Sequence, residues 1–434
     1  MEKGSRVRSQ EDFSGSVFWL SAFYFVYCAR PEDWIPGLHH APLAKIAGAS
    51  AALSLLLTVG KSPRGFKDLP RESFLSARSD HRPVRFCGVF TGLARRRFFS
   101  AFDFSKVYIA WILTFVLITT LARLRRVIFI QAVSVAAVSL VAIVKGHSVP
   151  RLVGVIGGIY SNPNDFAFAI ALSLPFCLAF LVSATDLLRK ALWLLGILVM
   201  TTALFLTASR AGFIDLAFSG AVCLWHIGIK GSRMYLIAGT VIVGVLLLIT
   251  AGGRLQEWFA AISDEGQDLT AYESFEQRRL LITKALDAVG DYPLLGLGAW
   301  NFVTYSDTWK EVHVSYLQIA VEGGVGSLIL YVLFFARGFA NLLLIRRTQP
   351  GHETSLFAGA LHSSLIGFVV GPALLPKLTN TIPYFAVCYT SVLVSITREK
   401  QSTEVMRVRY SASAHRIIET CAVPARASVL TPAQ

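Results

Sequence analysis

Neither a metal-ligand spacing nor a disulfide framework runs through the six cysteines of this chain. Three of them, Cys177, Cys223 and Cys388, sit inside apolar runs. The period-2 alternation of barrel strands is also missing. The first 16 residues are polar, and the apolar run after them has no clean small-residue cleavage site, which predicts a retained first helix. What is present is apolar sequence: 54% of 434 residues are hydrophobic and mean hydropathy is +0.56. That excludes an ordinary soluble enzyme. The formal charge of +14 would suggest nucleic acid in a soluble protein. In a membrane protein it fits cations at the cytoplasmic ends of helices, so no nucleic-acid partner is expected.

Apolar runs approach the roughly 20 residues a helix needs to cross a bilayer. They lie at about 16–28, 41–59, 106–121, 127–144, 165–184, 191–208, 212–229, 234–251, 314–336, 355–372 and 381–397. Backbone groups in lipid must pair internally, so these runs predict helices. The expected fold is an all-α polytopic membrane protein of about 11–12 transmembrane helices. Residues 1–400 form a single membrane-embedded domain, and the polar, basic 401–434 reads as an irregular cytoplasmic tail.

Charge gives an orientation. Arg123, Arg125 and Arg126, then Arg189 and Lys190, Lys230 and Arg233, Arg346 and Arg347, and Arg398 and Lys400 all count to one side, which is the cytoplasm. Residues 145–164, the Thr207–Arg210 turn, the long loop 252–312 and residues 372–380 count to the other. The loop carries ten acidic and five basic residues, in keeping with export. Residues 61–106 do not fit: they hold eleven Lys/Arg and four acidic residues, yet crossing parity places Ser105 outside. The atypical segment 61–105 either lies at the membrane interface or replaces a lost helix.

Four constellations fall on the outward side. In Tyr160-Ser161-Asn162-Pro163-Asn164-Asp165, Asn164 or Asp165 suits a helix N-cap. Exposed amides there also suit sugar or phosphate oxygens. Ser209-Arg210-Ala211-Gly212 puts an arginine at a helix end, where snorkelling is the ordinary explanation. However, this end is not the cytoplasmic one, and a guanidinium fork matches a diphosphate.

Phe275-Glu276-Gln277-Arg278-Arg279-Leu280 opens a helix-like stretch, followed by a Pro/Gly-rich turn containing Pro293, Gly296 and Gly298. The plain alternative is an amphipathic helix on the bundle mouth with solvated arginines. Finally, His313 and Tyr316 share a helix face, while Glu322, nine residues after His313, is rotated by roughly 180° on an ideal helix. Glu322 therefore reads as a packing residue unless the adjoining glycines distort the helix. An interfacial imidazole among cations is a general-base candidate.

In this order, Asn-Pro-Asn-Asp, Ser-Arg-Ala-Gly, Arg with Pro-Leu-Leu-Gly-Leu-Gly-Ala-Trp-Asn-Phe, and His-x-Ser-Tyr-Leu with Glu-Gly resemble the O-antigen ligase/O-antigen polymerase superfamily over about residues 150–330. The stretch Tyr27-Cys28-Ala29-Arg30-Pro31-Glu32-Asp33-Trp34 resembles members from exopolysaccharide or exosortase-type loci. The resemblance implies a GT-C-type bundle in the bacterial inner membrane with its active site on the periplasmic side. It also implies an inverting glycosyltransferase without metal or other cofactor. Lack of an Asp-x-Asp pair agrees with that.

The implied donor is a glycan on undecaprenyl diphosphate, and the implied partners are a lipid or glycan acceptor and membrane lipids. Its catalytic residues map onto Arg210, Arg279 and His313, with Arg278, Asn162, Asn164, Asp165 and Tyr316 as substrate-binding candidates. Glu322, Gly296 and Gly298 are structural residues near the site. The family's usual Asn after the histidine is Val314 here. The sequence prefers a ligase, with lipid A–core or another terminal acceptor. Beside it stand a polymerase, a protein O-oligosaccharyltransferase and, from a different class, a bicarbonate-type transporter.

Overall fold

The computed structural model describes residues 14–35, 37–38, 41–58, 70, 107–145, 151–154, 160–242, 245, 269–298, 301–308, 312, 314–348, 351–371 and 382–421. The architecture is helical, with no strand among the described residues. In chain order the elements are α1 (Ser14–Ala29), α2 (Pro31–Trp34), α3 (Leu43–Thr58), α4 (Val107–Leu117), α5 (Leu121–Lys145), α6 (Pro163–Ser183) and α7 (Leu187–Leu206). Next come α8 (Arg210–Cys223), which continues as a π-helix over Leu224–Ile229, and α9 (234–242). The remainder are α10 (Leu269–Asp291), α11 (Phe302–Tyr305), α12 (Ser315–Arg347), α13 (His352–Val370) and α14 (Ile382–Cys421).

Six of these helices are long and apolar enough to cross a membrane, and three shorter apolar helices accompany them. The polytopic helical fold expected from hydropathy is therefore present, with corrections in detail. The expected span 106–121 is α4, an 11-residue helix that covers about half of a hydrocarbon core. Of the expected span 234–251, residues 234–242 form α9, while 243–244 and 246–251 lie outside the described residues, as does nearly all of 61–105. The span at 381–397 is the apolar, mostly buried first part of α14. That helix then continues to Cys421, where an irregular tail was expected. No Gly or Pro interrupts the chain between Pro383 and Pro424, so nothing local stops the helix.

Burial separates lipid-facing from central helices. α7 exposes Leu192, Leu194, Leu195 and Leu198, an apolar face that water would not tolerate but acyl chains match. α6 is the central helix, buried from Asp165 through Cys177 and again at Ala179 and Phe180. Pro175 inside it cannot donate to the Ala171 carbonyl four residues earlier. The Ser219 hydroxyl of α8 donates to that freed carbonyl at 3.4 Å. Gly212 lets the two helices close: a Cβ there would stand 2.5 Å from the Ala167 Cβ.

Buried hydroxyls cross-link other helices, with Tyr24 against Thr114 at 2.8 Å and Tyr389 donating to Gln131 at 3.1 Å. In an apolar medium such pairs specify one packing, because an unmade bond has no water to replace it.

Candidate functional site

The starts of α6, α8 and α12 and the end of α13 meet at one end of the bundle. Asn162, not the expected Asn164 or Asp165, caps α6 by accepting the Asn164 N–H at 2.9 Å, because Pro163 opens the first turn, where its missing N–H costs nothing. Ser209 caps α8, accepting from the Gly212 N–H at 3.2 Å. Its own hydroxyl donates to Asn164 Oδ1 at 2.8 Å. The Asn-Pro-Asn-Asp and Ser-Arg-Ala-Gly turns are thus one joint.

Arg151 completes it. Its guanidinium donates to the Thr207 and Ala208 carbonyls at 3.0 and 3.1 Å and to Asn164 Oδ1 at 3.1 Å. Arginine carries only donors, so the Asn164 atom facing it must be oxygen. Neither amide N–H of Asn164 takes part in these two contacts. Partial burial, followed by the positive charge of Arg210, pulls the Arg151 pKa below its ordinary value. Two guanidiniums therefore stand within electrostatic range, an arrangement an anion relieves. Sequence reasoning missed Arg151, although its lone charge just before the glycines at 154, 157 and 158 was visible.

The same end contains a second missed residue. Asp215, one and a half turns below Arg210 on α8, is fully buried. Among the described residues no donor reaches either of its carboxylate oxygens. A Cβ at Gly371 would lie 2.9 Å from its Oδ2. Asp165 is also buried, at the start of α6. The Tyr316 hydroxyl donates to the Val369 carbonyl at 2.8 Å, which ties the start of α12 to the end of α13.

The long loop contributes a small layer of its own. α10 buries Leu281, Ala285 and Ala288 against Phe302, Val312 and Val321. Lys284 reinforces this by donating to the Ser306 carbonyl at 2.6 Å. Arg278 and Arg279 point to solvent from the other face, and Arg279 has Glu276 at 3.9 Å. The turn after α10 docks on a break in α12. Gly324 adopts φ 76 and ψ 170, which interrupts the helix. Leu297 and Gly298 donate to the exposed carbonyls of Val321 and Glu322 at 2.7 and 2.9 Å, while Val325 donates to Pro293 at 2.9 Å.

Glycine is required on both sides of this contact. Gly296 has φ 66, and a Cβ on it would stand 2.5 Å from the Glu322 carbonyl carbon. A Cβ on Gly324 would meet the Leu294 carbonyl. The Glu322 carboxylate accepts from Gln318 at 3.3 Å, within its own helix. The glycine distortion does occur, but it follows Glu322 and leaves that residue's rotation relative to Tyr316 helical. His313 lies outside the described residues.

Residues 194–332, from α7 through the broken start of α12, match the family model described as O-Antigen ligase. Over this segment the chain is O-antigen ligase-like. No curated protein matches it. The ligase-like segment contains Arg210, Arg278, Arg279, Tyr316, the Gly296–Glu322 docking contact and the position of His313. Asn162, Asn164 and Arg151 precede it, yet packing brings Asn164 and Arg151 onto its Ser209 turn.

The N-terminal Tyr27–Trp34 stretch lies near that end as well. Arg30, in the left-handed region at φ 46, pairs with Asp33 at 2.6 Å. Just before α6, Tyr160 donates to the Cys28 carbonyl at 3.0 Å.

Proposed function

We propose that this ligase-like membrane protein is a glycosyltransferase that moves a glycan from undecaprenyl diphosphate to an acceptor hydroxyl. The observation that carries this reading is the joint of Asn164, Ser209 and Arg151, which holds the start of α8 with Arg210 beside a second guanidinium. In the donor the anomeric C–O bond is already activated, so the protein must chiefly neutralise the departing diphosphate and orient the attacking oxygen. Arg210 and Arg151 supply fixed positive charge, and Arg279, with Arg278 beside it, faces solvent from the loop layer and turns in to add more when the donor binds. Asn162, Asn164 and Tyr316 line the approach for sugar or phosphate oxygens, with Asp165 buried behind them at the start of α6.

His313 takes the proton of the acceptor hydroxyl as its oxygen bonds to the anomeric carbon. The C–O bond to the diphosphate breaks on the opposite face, giving inversion. No step calls for a metal. The docked α10 layer serves as the cover of the site, at the periplasmic face of the inner membrane. Lipid A–core or another terminal acceptor is the favoured substrate. A polymerase would place a second lipid-linked glycan in the same position.

The test is incubation of purified protein with undecaprenyl-diphosphate glycan and candidate acceptors, with products identified by mass. Transfer to lipid A–core supports a ligase, and chain elongation supports a polymerase. Intact donor with every acceptor overturns the proposal.

A further inference from the structure

The opposite end of the bundle carries a cavity of about 470 Å³. Along α8 and its π-helical extension, Arg210 and His226 are sixteen residues apart, roughly 24 Å at the rise of a helix. Three elements enclose the cavity: the π-turn with the Lys230–Arg233 turn, the end of α12 and the start of α13. They bring together Lys230, Arg233, Arg346, His226, His352 and His362, and among the described residues no Asp or Glu lines the space. The adjacent Glu353 is already paired with Arg125.

The arrangement is built rather than incidental. The π-helix is a local departure often found at functional positions, and here it carries His226 to within 2.9 Å of His362. Gly359 permits this approach, since a Cβ there would lie 3.0 Å from the His226 Cβ. Arg233 donates to His352 Nε2 at 2.9 Å, and its backbone N–H closes the π-turn on Gly228 at 2.7 Å. Lys230 sits over the Trp225 ring at 5.5 Å. Basic residues at one membrane face are ordinary one by one. Convergence of three permanent cations on a single cavity is different, because an anion seated among them is attracted by all three at once.

The rest of the wall states what else the ligand carries. Phe339, Leu342 and Leu343 line one side, and Leu343 is 56% exposed at the bundle surface. A charged pocket beside an apolar, lipid-facing wall matches an anionic headgroup with an acyl chain. We infer that this cavity binds a phosphate-bearing anion, supplied by an acidic phospholipid or by a soluble phosphate compound. Lys230, Arg233 and Arg346 neutralise the phosphate, and the histidines add hydrogen bonds. The site is separate from the Arg210 end and does not depend on glycosyl transfer.

Native mass spectrometry of the full chain, offered equal phosphatidylglycerol and phosphatidylcholine, reads the lipid arm. Thermal unfolding with and without inorganic pyrophosphate reads the soluble arm. Phosphatidylglycerol retained about tenfold over phosphatidylcholine, and lost in K230Q/R233Q/R346Q, identifies the lipid source. Pyrophosphate raising Tm in the wild type alone, without a lipid preference, identifies the soluble source.

Wild-type protein that shows neither response, or a folded triple variant that keeps whichever response the wild type shows, overturns the inference. Should the triple variant not fold, Arg346→Gln alone carries the same decision, with roughly a tenfold loss expected from one charge-assisted contact.

Discussion

The Ser209 hydroxyl donates to the carboxamide oxygen of Asn164 at 2.8 Å, joining two helix starts that lie 45 residues apart. Ser209 also caps its own helix, and its meeting with Asn164 aligns α6 and α8. The same oxygen receives Arg151, so a single carboxamide orders the turn on which Arg210 stands.

Removal of that bridge should lower transfer while the bundle persists. Asn164→Ala is expected to reduce glycan transfer about 10–100-fold, the equivalent of the roughly 1.5–3 kcal/mol of a charge-assisted hydrogen bond. Arg151→Ala should fall in the same range and Arg151→Lys should recover only part of it, because an ammonium cannot reach three acceptors in one plane. Initial rates in purified protein, with unchanged elution on size exclusion, measure this. Full activity in Arg151→Ala would remove that residue from the site.

Arg210→Ala and His313→Ala are each expected to fold and to abolish transfer. Product mass after donor and acceptor incubation is the readout. Wild-type-like transfer by either variant excludes that residue from the mechanism.

Gly324→Ala should destabilise the docked layer. Its backbone angles belong to a region that only glycine occupies cheaply, at a cost of about 1–3 kcal/mol for other residues. The added Cβ also meets the Leu294 carbonyl, so the turn after α10 must lift away. Faster proteolysis within 269–298 than in wild type is expected, while Gly326→Ala, in open space on the same helix, should be silent.

Asp215→Asn should leave Tm unchanged or raise it. A buried carboxylate without a donor is costly when charged, and asparagine keeps its shape without the charge. Thermal unfolding in detergent decides this. A fall of several degrees would mean that a donor from outside the described residues holds the carboxylate.

Much was legible in the sequence for simple reasons. Hydropathy over about 20 residues reports whether a helix can cross a bilayer, so the helical membrane fold followed from α5, α6, α12 and α13. Helix starts were legible only to within two or three residues: the α6 cap is Asn162 where Asn164 or Asp165 was expected, since Pro163 opens the helix earlier. Helix ends were less legible. α4 proved shorter than its apolar run, and α14 ran past it, because hydropathy does not register where a helix begins or stops.

What the sequence determined by itself is therefore what depends on neighbours along the chain: apolar spans, caps, the polar loop and the glycines that permit a break. Tertiary structure decided the rest. Arg151 was one charge among many until packing set it on Asn164 and beside Arg210. Asp215 was one acid within a span until α6 and α13 enclosed it. Lys230, Arg233 and Arg346 read as scattered cytoplasmic charges until three helix ends closed around a cavity. Contacts between residues far apart in sequence depend on which faces pack together, and the packing of apolar faces carries no local signature.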